Sequence, residues 1–276
     1  MAETCYRHPD RETAVSCSSC GRPICPDCMT PTPVGMRCPE CMRQRTKVVR
    51  GVGNSGEGFW RAPATFILIG INVAAYLFEI AGGGGGLNNP SFASINDFAL
   101  RGVSVANGEW YRLVTGGFLH ASFFPHLVFN MALLFFLGRL LEPALGTPRF
   151  LALYFTALLA GAFGALLLTN PLVPTLGASG AVFGLIGAAF VIARGRGMGE
   201  LAGQLGFLIV INLVFTFGSN DISIGGHLGG LVAGLLCGLA IVAGERGTLG
   251  PRHRQAEFAV MALVAAISVA GALAVA

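Results

Sequence analysis

The chain has 276 residues, of which 53% are hydrophobic and only 12% are charged. Soluble domains carry about 25% charged residues, so this composition excludes an ordinary soluble protein and predicts an all-α polytopic membrane protein with the lipid bilayer as its surroundings. The net charge of +4 is unevenly spread, because residues 1–61 contain 9 of the 18 Lys and Arg residues against 6 Asp and Glu, which makes the N-terminal region basic. This pattern favours a cytoplasmic segment beside the membrane, and we predict no nucleic-acid partner.

Cysteines are concentrated near the N-terminus, where one histidine completes a set of eight candidate metal ligands. These are Cys5, His8, Cys17, Cys20, Cys25, Cys28, Cys38 and Cys41, spaced C-x2-H, C-x2-C-x4-C-x2-C and C-x2-C. Four paired knuckles supply two tetrahedral sites, and sets of four Cys or of three Cys and one His usually hold zinc. We therefore predict two structural Zn²⁺ ions in a module over residues 1–45. Disulfides are the alternative, which a reducing cytoplasmic location disfavours.

The order of the knuckles resembles B-box-type zinc fingers. The resemblance implies interleaved ligation, with Cys5, His8, Cys25 and Cys28 on one ion and Cys17, Cys20, Cys38 and Cys41 on the other. A module this short has little core of its own, so the metal is expected to supply most of its folding free energy.

Residues 46–61 are basic and then glycine-rich, and we interpret them as a flexible linker to a membrane domain over residues 62–276. The N-terminal residues lack the apolar core of a signal peptide, so the first span, 62–81, is expected to act as an uncleaved anchor. Its length of about 20 residues suits a bilayer. Further apolar helices are predicted at 126–142, 149–169, 179–193, 203–218, 224–243 and 257–276, which makes seven.

Residues 87–125 mix aromatic and charged side chains and are too polar to span a bilayer. Trp and Tyr prefer the headgroup level, which predicts a loop lying in the membrane interface. Arginines are concentrated in alternate connections between the later helices, so the positive-inside rule places the N-terminus in the cytoplasm and the C-terminus outside. Arg outnumbers Lys by 17 to 1, a composition that we associate with a bacterial source and hence with the plasma membrane.

A lone serine and a lone histidine lie in apolar, glycine-rich predicted helices. Ser179 stands in the sequence Gly177-x-Ser179-Gly180, and His227 follows 48 residues later. An ionisable group at membrane depth usually faces a cavity or a functional partner, and a serine beside a histidine is the arrangement of a nucleophile and its base. For the serine, a hydroxyl bonded to its own helix is the structural alternative.

Small residues form matching stripes on these two predicted helices. The stripes comprise Gly180, Gly184 and Gly187 on one helix and Gly230, Gly234 and Gly238 on the other. Small faces pack closely in lipid, and this packing would bring Ser179 to His227. No Asp or Glu lies within a span where it could complete a triad, so we predict a Ser-His dyad without a catalytic cofactor.

His126 and Asn130 are spaced i and i+4 and share one helix face. Both side chains can donate hydrogen bonds toward a common point. Acyl transfer needs such donors at the developing oxyanion, and the backbone N–H of Ser179 is a third candidate. An interhelical polar pair is the structural alternative.

From Ala62 onward the chain resembles the rhomboid family of intramembrane serine proteases. The matching residues are Trp110-Tyr111-Arg112, His120, His126-xxx-Asn130, Glu142 in Gly138-Arg-Leu-Leu-Glu142, Gly177-x-Ser179-Gly180, and His227 with Gly230 and Gly234. The resemblance implies a rhomboid six-helix core to which the seventh, C-terminal transmembrane helix is added. It also implies that the dyad cleaves transmembrane segments of other membrane proteins. Trp110 and Arg112 would order the interfacial loop, Arg112 together with Glu142.

Phe183 stands where many rhomboids have Tyr, and it keeps a ring that can stack on His227. The alternative function is a catalytically silent rhomboid-like protein that binds clients, a kind of relative expected to lack the serine or the histidine. A zinc-dependent membrane enzyme is disfavoured because the zinc ligands precede the first span. The zinc module is expected to bind a client's cytoplasmic tail or another cytoplasmic protein; a purely stabilising role is the other interpretation.

Overall fold

The computed structural model describes residues 3–32, 35–43, 61–82, 86–88, 90–219 and 221–276. The chain divides into two compact units, Met1–Gly56 and Glu57–Ala276. Of the predicted linker, all residues except Arg61 lie outside the described residues.

The first unit consists of short elements around a very small core. Strand β1 (Glu3–Cys5) pairs antiparallel with β2 (His8–Thr13), β3 (Thr30–Thr32) pairs antiparallel with β4 (Gly35–Arg37), and helix α1 (Pro39–Arg43) follows. Among the described residues, its buried cluster contains Ile24 and six cysteines. One buried aliphatic side chain contributes only about 1.5–3 kcal/mol, so the stability of this unit must come largely from the cysteines.

The second unit consists of helices joined by loops, with one isolated β-bridge between Leu100 and Thr175 among its described residues. Helix α2 (Pro63–Ala81) is followed by an interface segment, residues 90–122, that holds three short helices: α3 (Phe92–Phe98), α4 (Gly102–Ala106) and α5 (Arg112–Thr115). Six apolar helices complete the unit: α6 (Val128–Leu145, preceded by a π-helical turn at Phe123–Leu127), α7 (Thr147–Leu168), α8 (Ser179–Gly195), α9 (Gly199–Gly218), α10 (Ile224–Glu245) and α11 (His253–Val275).

Six of the described helices are long and apolar enough to cross a membrane, and Ser179–Gly195 is a shorter apolar helix. Together they give the seven helices that the sequence predicts, and the predicted all-α multi-pass membrane fold is confirmed. Helix α8 lies among α6, α7, α9 and α10, and 11 of its 17 residues are buried. Because protein surrounds α8 on most sides, it needs less lipid-facing length than its neighbours.

Three helices begin earlier than predicted. Helices α7, α9 and α11 begin at Thr147, Gly199 and His253, whereas the apolar pattern begins at residues 149, 203 and 257. Their first turns carry polar residues such as Glu200. Hydropathy detects only the part of a helix that lies in hydrocarbon, while backbone hydrogen bonds continue the helix into the polar interface.

Glycines allow the backbones of α8 and α10 to touch. A Cβ atom added at Gly230 would overlap the carbonyl oxygen of Gly180, and one added at Gly234 would overlap that of Gly184. Any larger residue at these positions would push the helices apart. Since Ser179 precedes Gly180 on α8 and His227 lies one turn before Gly230 on α10, this close packing brings the ends that carry the two residues to the same region.

Glu142 does not pair with Arg112, so the expected pairing is wrong. Its carboxylate accepts hydrogen bonds from the backbone N–H groups of Ala64 (2.9 Å) and Thr65 (2.8 Å) and from the hydroxyls of Thr65 (2.7 Å) and Thr147 (2.7 Å). Glu142 lies near the end of α6, whereas Arg112 precedes the start of α6 in the interface segment. The length of α6 therefore separates them, and the carboxylate instead satisfies the free N–H groups at the start of α2.

We expect Glu142→Gln to lower the free energy of unfolding of the membrane unit by about 2–4 kcal/mol. A glutamine amide would place an NH₂ donor against the N–H groups of Ala64 and Thr65 and would remove the negative charge that the start of a helix favours. Thermal unfolding in detergent measures the effect. Glu200→Gln, at an exposed position in the first turn of α9, is the matched control. Equal stability of the two variants would contradict the role of Glu142.

Candidate active site

Ser179 and His227 line a single cavity of about 890 Å³ in the second unit. His126, Asn130 and Gly177 also line this cavity. The structure thus brings together, around one space, the residues for which the sequence predicts nucleophile, base and oxyanion donors. Ser179 is partly exposed there, whereas His227 is 9% exposed.

Ser179 is the first residue of α8. The first N–H groups of a helix have no acceptor within the helix, so the N–H of Ser179 is available to an external acceptor. The same end of the helix carries partial positive charge and stabilises an anion. The side chain that could attack a carbonyl and one donor that could stabilise the resulting oxyanion therefore belong to the same residue.

The turn before Ser179 requires glycine at position 177. The φ angle of Gly177 is +123°, in the left-handed region that side chains disfavour. A Cβ atom there would lie 2.6 Å from His126 Nε2 and 3.8 Å from Ser179 Oγ. The absence of a side chain at Gly177 leaves room between the imidazole of His126 and the hydroxyl of Ser179. The N–H of Gly177 donates to the carbonyl of Gly116 (2.9 Å), which fixes the turn to the interface segment.

His126 and Asn130 keep hydrogen atoms available to the cavity. His126 Nδ1 accepts from the backbone N–H of Ala121 (3.1 Å), so the proton of a neutral ring lies on Nε2, the nitrogen beside Gly177. Asn130 Nδ2 donates to the carbonyl of His126 (3.0 Å), which uses one of its two hydrogens and leaves the other. The two side chains can therefore donate together to an oxygen atom bound in the cavity.

Phe183 stacks on His227. The ring centroids are 4.1 Å apart and the planes differ by 22°. Phe183 lies one turn after Ser179 on α8, so the stack holds the imidazole plane against the helix that carries the serine. Stacking needs only the ring, and phenylalanine satisfies it without the hydroxyl of tyrosine.

Thr216 is a neighbour of His227 that no sequence motif predicts. Its Oγ1 lies 2.7 Å from His227 Nδ1 and 2.7 Å from the carbonyl oxygen of Asn212, and the residue is fully buried. A threonine near the end of one apolar helix and a histidine at the start of the next carry no recognisable spacing signal. Only the turn between α9 and α10 brings them together.

His120 supports the site from outside the cavity. Its ring lies 5.0 Å from that of His126, edge to face, and its backbone N–H donates to Glu79 Oε2 (3.1 Å). Burial, and to a smaller extent the nearby His126, lowers the pKa of His120 to about 3, so its ring is neutral at physiological pH. His120 packs against an oxyanion candidate and is not among the residues that line the cavity.

Arg112 orders the interface segment. Its guanidinium donates to the carbonyls of Asn96 (2.7 Å) and Ala99 (2.9 Å) and pairs with Glu109. Trp110, by contrast, is 66% exposed. The exposed ring of Trp110 suits contact with lipid headgroups, and its role in ordering this segment stays a prediction.

In the first unit, the eight predicted ligands form two groups. Cys5, His8, Cys25 and Cys28 form one, and Cys17, Cys20, Cys38 and Cys41 form the other, with the ligand atoms of each group within 4.8 Å of one another. His8 Nδ1 lies 3.3 Å from Cys25 Sγ, and Cys20 Sγ lies 3.9 Å from Cys38 Sγ. A tetrahedral ion with bonds of 2.3 Å separates its ligands by about 3.8 Å, so both groups could hold a metal ion.

All eight cysteines of the chain lie in the part that the structure describes, and all are free thiols. The backbone N–H of Cys38 donates to Cys17 Sγ (3.2 Å), and that of Cys41 donates to Cys38 Sγ (3.3 Å). Such bonds favour the thiolate, which is the form that binds metal. The described thiols therefore fit metal ligation better than disulfide bonding.

These features define a multi-pass helical membrane protein in which a serine and a histidine face one cavity. The Rhomboid domain family matches residues 107–244, which include both residues and make up half of the chain. The chain is 32% identical over 192 residues to the rhomboid protease GluP of Bacillus subtilis (strain 168). The matched region covers 68% of this chain and 36% of GluP. The chain belongs to the rhomboid family.

Two further relatives show the range of the family. The chain is 39% identical over 140 residues to the putative rhomboid protease YdcA of Bacillus subtilis (strain 168), covering 49% of this chain and 68% of YdcA. It is 31% identical over 110 residues to the inactive RHOMBOID-like protein 8 of Arabidopsis thaliana, covering 40% of this chain and 30% of that protein. Family membership alone therefore does not decide activity, which must be argued from the residues of the cavity.

Proposed function

We propose that this protein is an intramembrane serine endopeptidase that cleaves transmembrane segments of other membrane proteins through a dyad of Ser179 and His227. The observation that carries the proposal is the shared cavity, in which these two residues meet two side chains that can donate hydrogen bonds. Similarity to named rhomboid proteases supports the same reaction class.

In the proposed mechanism, Ser179 Oγ attacks the scissile carbonyl while His227 Nε2 accepts its proton. The tetrahedral oxyanion receives hydrogen bonds from the Ser179 N–H, His126 Nε2 and Asn130 Nδ2. The C–N bond then breaks, and the leaving amine takes the proton from His227. His227 then takes a proton from a water molecule as the water oxygen attacks the ester carbonyl. The bond from the acyl carbon to Ser179 Oγ breaks, Oγ takes the proton back from His227, and the second fragment leaves as a carboxylic acid.

A catalytically silent, client-binding rhomboid is the alternative. Loss of the nucleophile or of the base would favour it, but this chain keeps both Ser179 and His227. Two further observations suit an operating dyad. Phe183 stacks on His227 and holds its ring against the helix that carries Ser179, and the absence of a side chain at Gly177 leaves space between the Ser179 hydroxyl and His126. The cavity therefore favours catalysis over client binding alone.

We assign two structural zinc ions to the first unit, because thiolate and imidazole donors in sets of four match zinc. Four protein ligands close each site and leave no position for a catalytic water. Zinc would therefore stabilise the module without taking part in hydrolysis. We place this module in the cytoplasm of a bacterial cell and the C-terminus outside the plasma membrane, following the distribution of arginines. There the module could bind a client's cytoplasmic tail or another cytoplasmic protein.

Reconstitution tests the proposed reaction. The purified protein is placed in lipid vesicles with a single-span reporter, and the products are identified by mass spectrometry. We expect two fragments whose new termini lie within or beside the apolar span. A reporter that stays intact in the presence of folded protein would contradict the proposal.

Asn130→Ala should lower kcat for this reporter by roughly 10²–10³-fold, as expected for the loss of one oxyanion donor, with little change in KM. Asn72→Ala is a matched control. Asn72 is also a buried asparagine that donates to the carbonyl four residues earlier, that of Leu68 (2.7 Å), but it lies on α2 and does not line the cavity. An unchanged rate for Asn130→Ala would remove Asn130 from the oxyanion site.

A further inference from the structure

Thr216 makes two contacts that together determine the direction of its hydroxyl. Its Oγ1 lies 2.7 Å from the carbonyl oxygen of Asn212, one turn earlier on α9, and 2.7 Å from His227 Nδ1 on α10. A hydroxyl has one hydrogen to donate, and a carbonyl oxygen can only accept. The hydrogen therefore points to Asn212, and the lone pairs of Oγ1 face the imidazole.

This arrangement decides which nitrogen of His227 carries the proton. An oxygen that presents lone pairs to Nδ1 requires an N–H there. A neutral imidazole with its hydrogen on Nδ1 has a free lone pair on Nε2. That lone pair is what a general base needs in order to take the proton of a serine hydroxyl.

We propose that Thr216 is a positioning residue that holds His227 in the Nδ1–H tautomer and orients its ring for Ser179, the task of the aspartate in a Ser-His-Asp triad. The inference rests on the proposed role of His227 as base. The Phe183 stack fixes the plane of the ring, and the bond to Thr216 fixes its rotation within that plane. A neutral hydroxyl performs this task without the cost of burying a carboxylate at membrane depth.

A merely structural threonine would look different. Hydroxyls in apolar helices often donate to the carbonyl one turn earlier, and Ser268 does so with Val264 (2.7 Å) on α11. Thr216 makes this same bond and also contacts His227 from a fully buried position. The second contact connects it to the cavity, because His227 lines the cavity and Thr216 does not.

Thr216→Val tests the proposal, since valine keeps the shape of threonine and removes the hydroxyl. We expect kcat for the single-span reporter to fall roughly 10–100-fold with KM nearly unchanged. Thr216→Ser should restore most of the rate. Thr156→Val is the matched control: Thr156 is a buried threonine bonded to the carbonyl of Met261 (3.3 Å) and is not among the residues that line the cavity.

A second measurement does not depend on activity. In ¹⁵N NMR spectra of protein labelled at histidine, the wild type should show His227 protonated on Nδ1, and Thr216→Val should show a mixture of tautomers. Unchanged kcat and tautomer in Thr216→Val would overturn the proposal, as would a loss of rate that Thr216→Ser fails to restore while the tautomer stays the same. If the wild type cleaves no reporter, the proposed function fails, and the tautomer alone decides whether Thr216 positions the ring.

Discussion

Ser179→Ala should reduce cleavage of the single-span reporter to the background, a loss in kcat on the order of 10⁴-fold or more, and His227→Ala should do the same. The serine supplies the nucleophile and the histidine supplies its base, so the attack on the carbonyl fails without either. The double variant should be no slower than either single variant, because residues that act as a unit do not contribute additively. Reporter cleavage in vesicles measures all three.

The control for this prediction is Ser268→Ala. Ser268 is also a buried serine in an apolar helix, but its hydroxyl donates to Val264 and it does not line the cavity. This variant should cleave at the wild-type rate. Substantial cleavage by folded Ser179→Ala would exclude a serine mechanism, and additive losses in the double variant would indicate that the two residues act separately.

Removal of metal should unfold the first unit and leave the second folded. Apparent binding free energies of structural zinc are about 10–16 kcal/mol, and the buried cluster of this unit offers Ile24 as its one aliphatic side chain among the described residues. Elemental analysis should find two zinc ions per chain. After chelation, hydrogen exchange across residues 3–43 should become fast while that of the helices is unchanged.

Single substitutions distinguish the two metal sites. Cys25→Ser and Cys38→Ser each alter one group of four ligands, so each should reduce the zinc content from two ions to one. Cys237→Ser is the control, since Cys237 is a buried cysteine of α10 that belongs to neither group. A chain without zinc, or hydrogen exchange that chelation does not change, would contradict a structural metal. One ion in the unaltered chain would contradict the pairing.

The helices were predictable because hydropathy and length are properties of local sequence. Each of the seven apolar helices follows from a run of apolar residues, and the stripes of small residues indicate which two helices pack most closely. Ser179 and His227 could be singled out for the same reason, since a hydroxyl among small residues and an ionisable ring stand out in apolar helices. The ends of the helices were less predictable because the polar first turns resemble loop sequence.

Contacts between distant positions were the part that local sequence could not give. The partners of Glu142 on α2 are 77 and 78 residues away, and the expected pairing with Arg112 came from the resemblance to a family. In the sequence, Glu257 marks only the predicted start of the last apolar helix. In the structure it is fully buried and pairs with Arg149 (3.1 Å), and this ion pair joins α11 to α7. The contact between Thr216 and His227 was equally hidden in the sequence, because it depends on a turn that sets two helices side by side.

Covalent labelling with a fluorophosphonate tests the proposed serine mechanism most directly. The reagent reacts with a serine hydroxyl only where a base activates it, so intact mass should show one adduct per chain and peptide mapping should locate it on Ser179. Ser179→Ala and His227→Ala should each lose the adduct, while Ser268→Ala should keep it. No adduct on folded protein, or an adduct on another serine of the cavity such as Ser122 or Ser223, would contradict the assignment of Ser179 as the nucleophile.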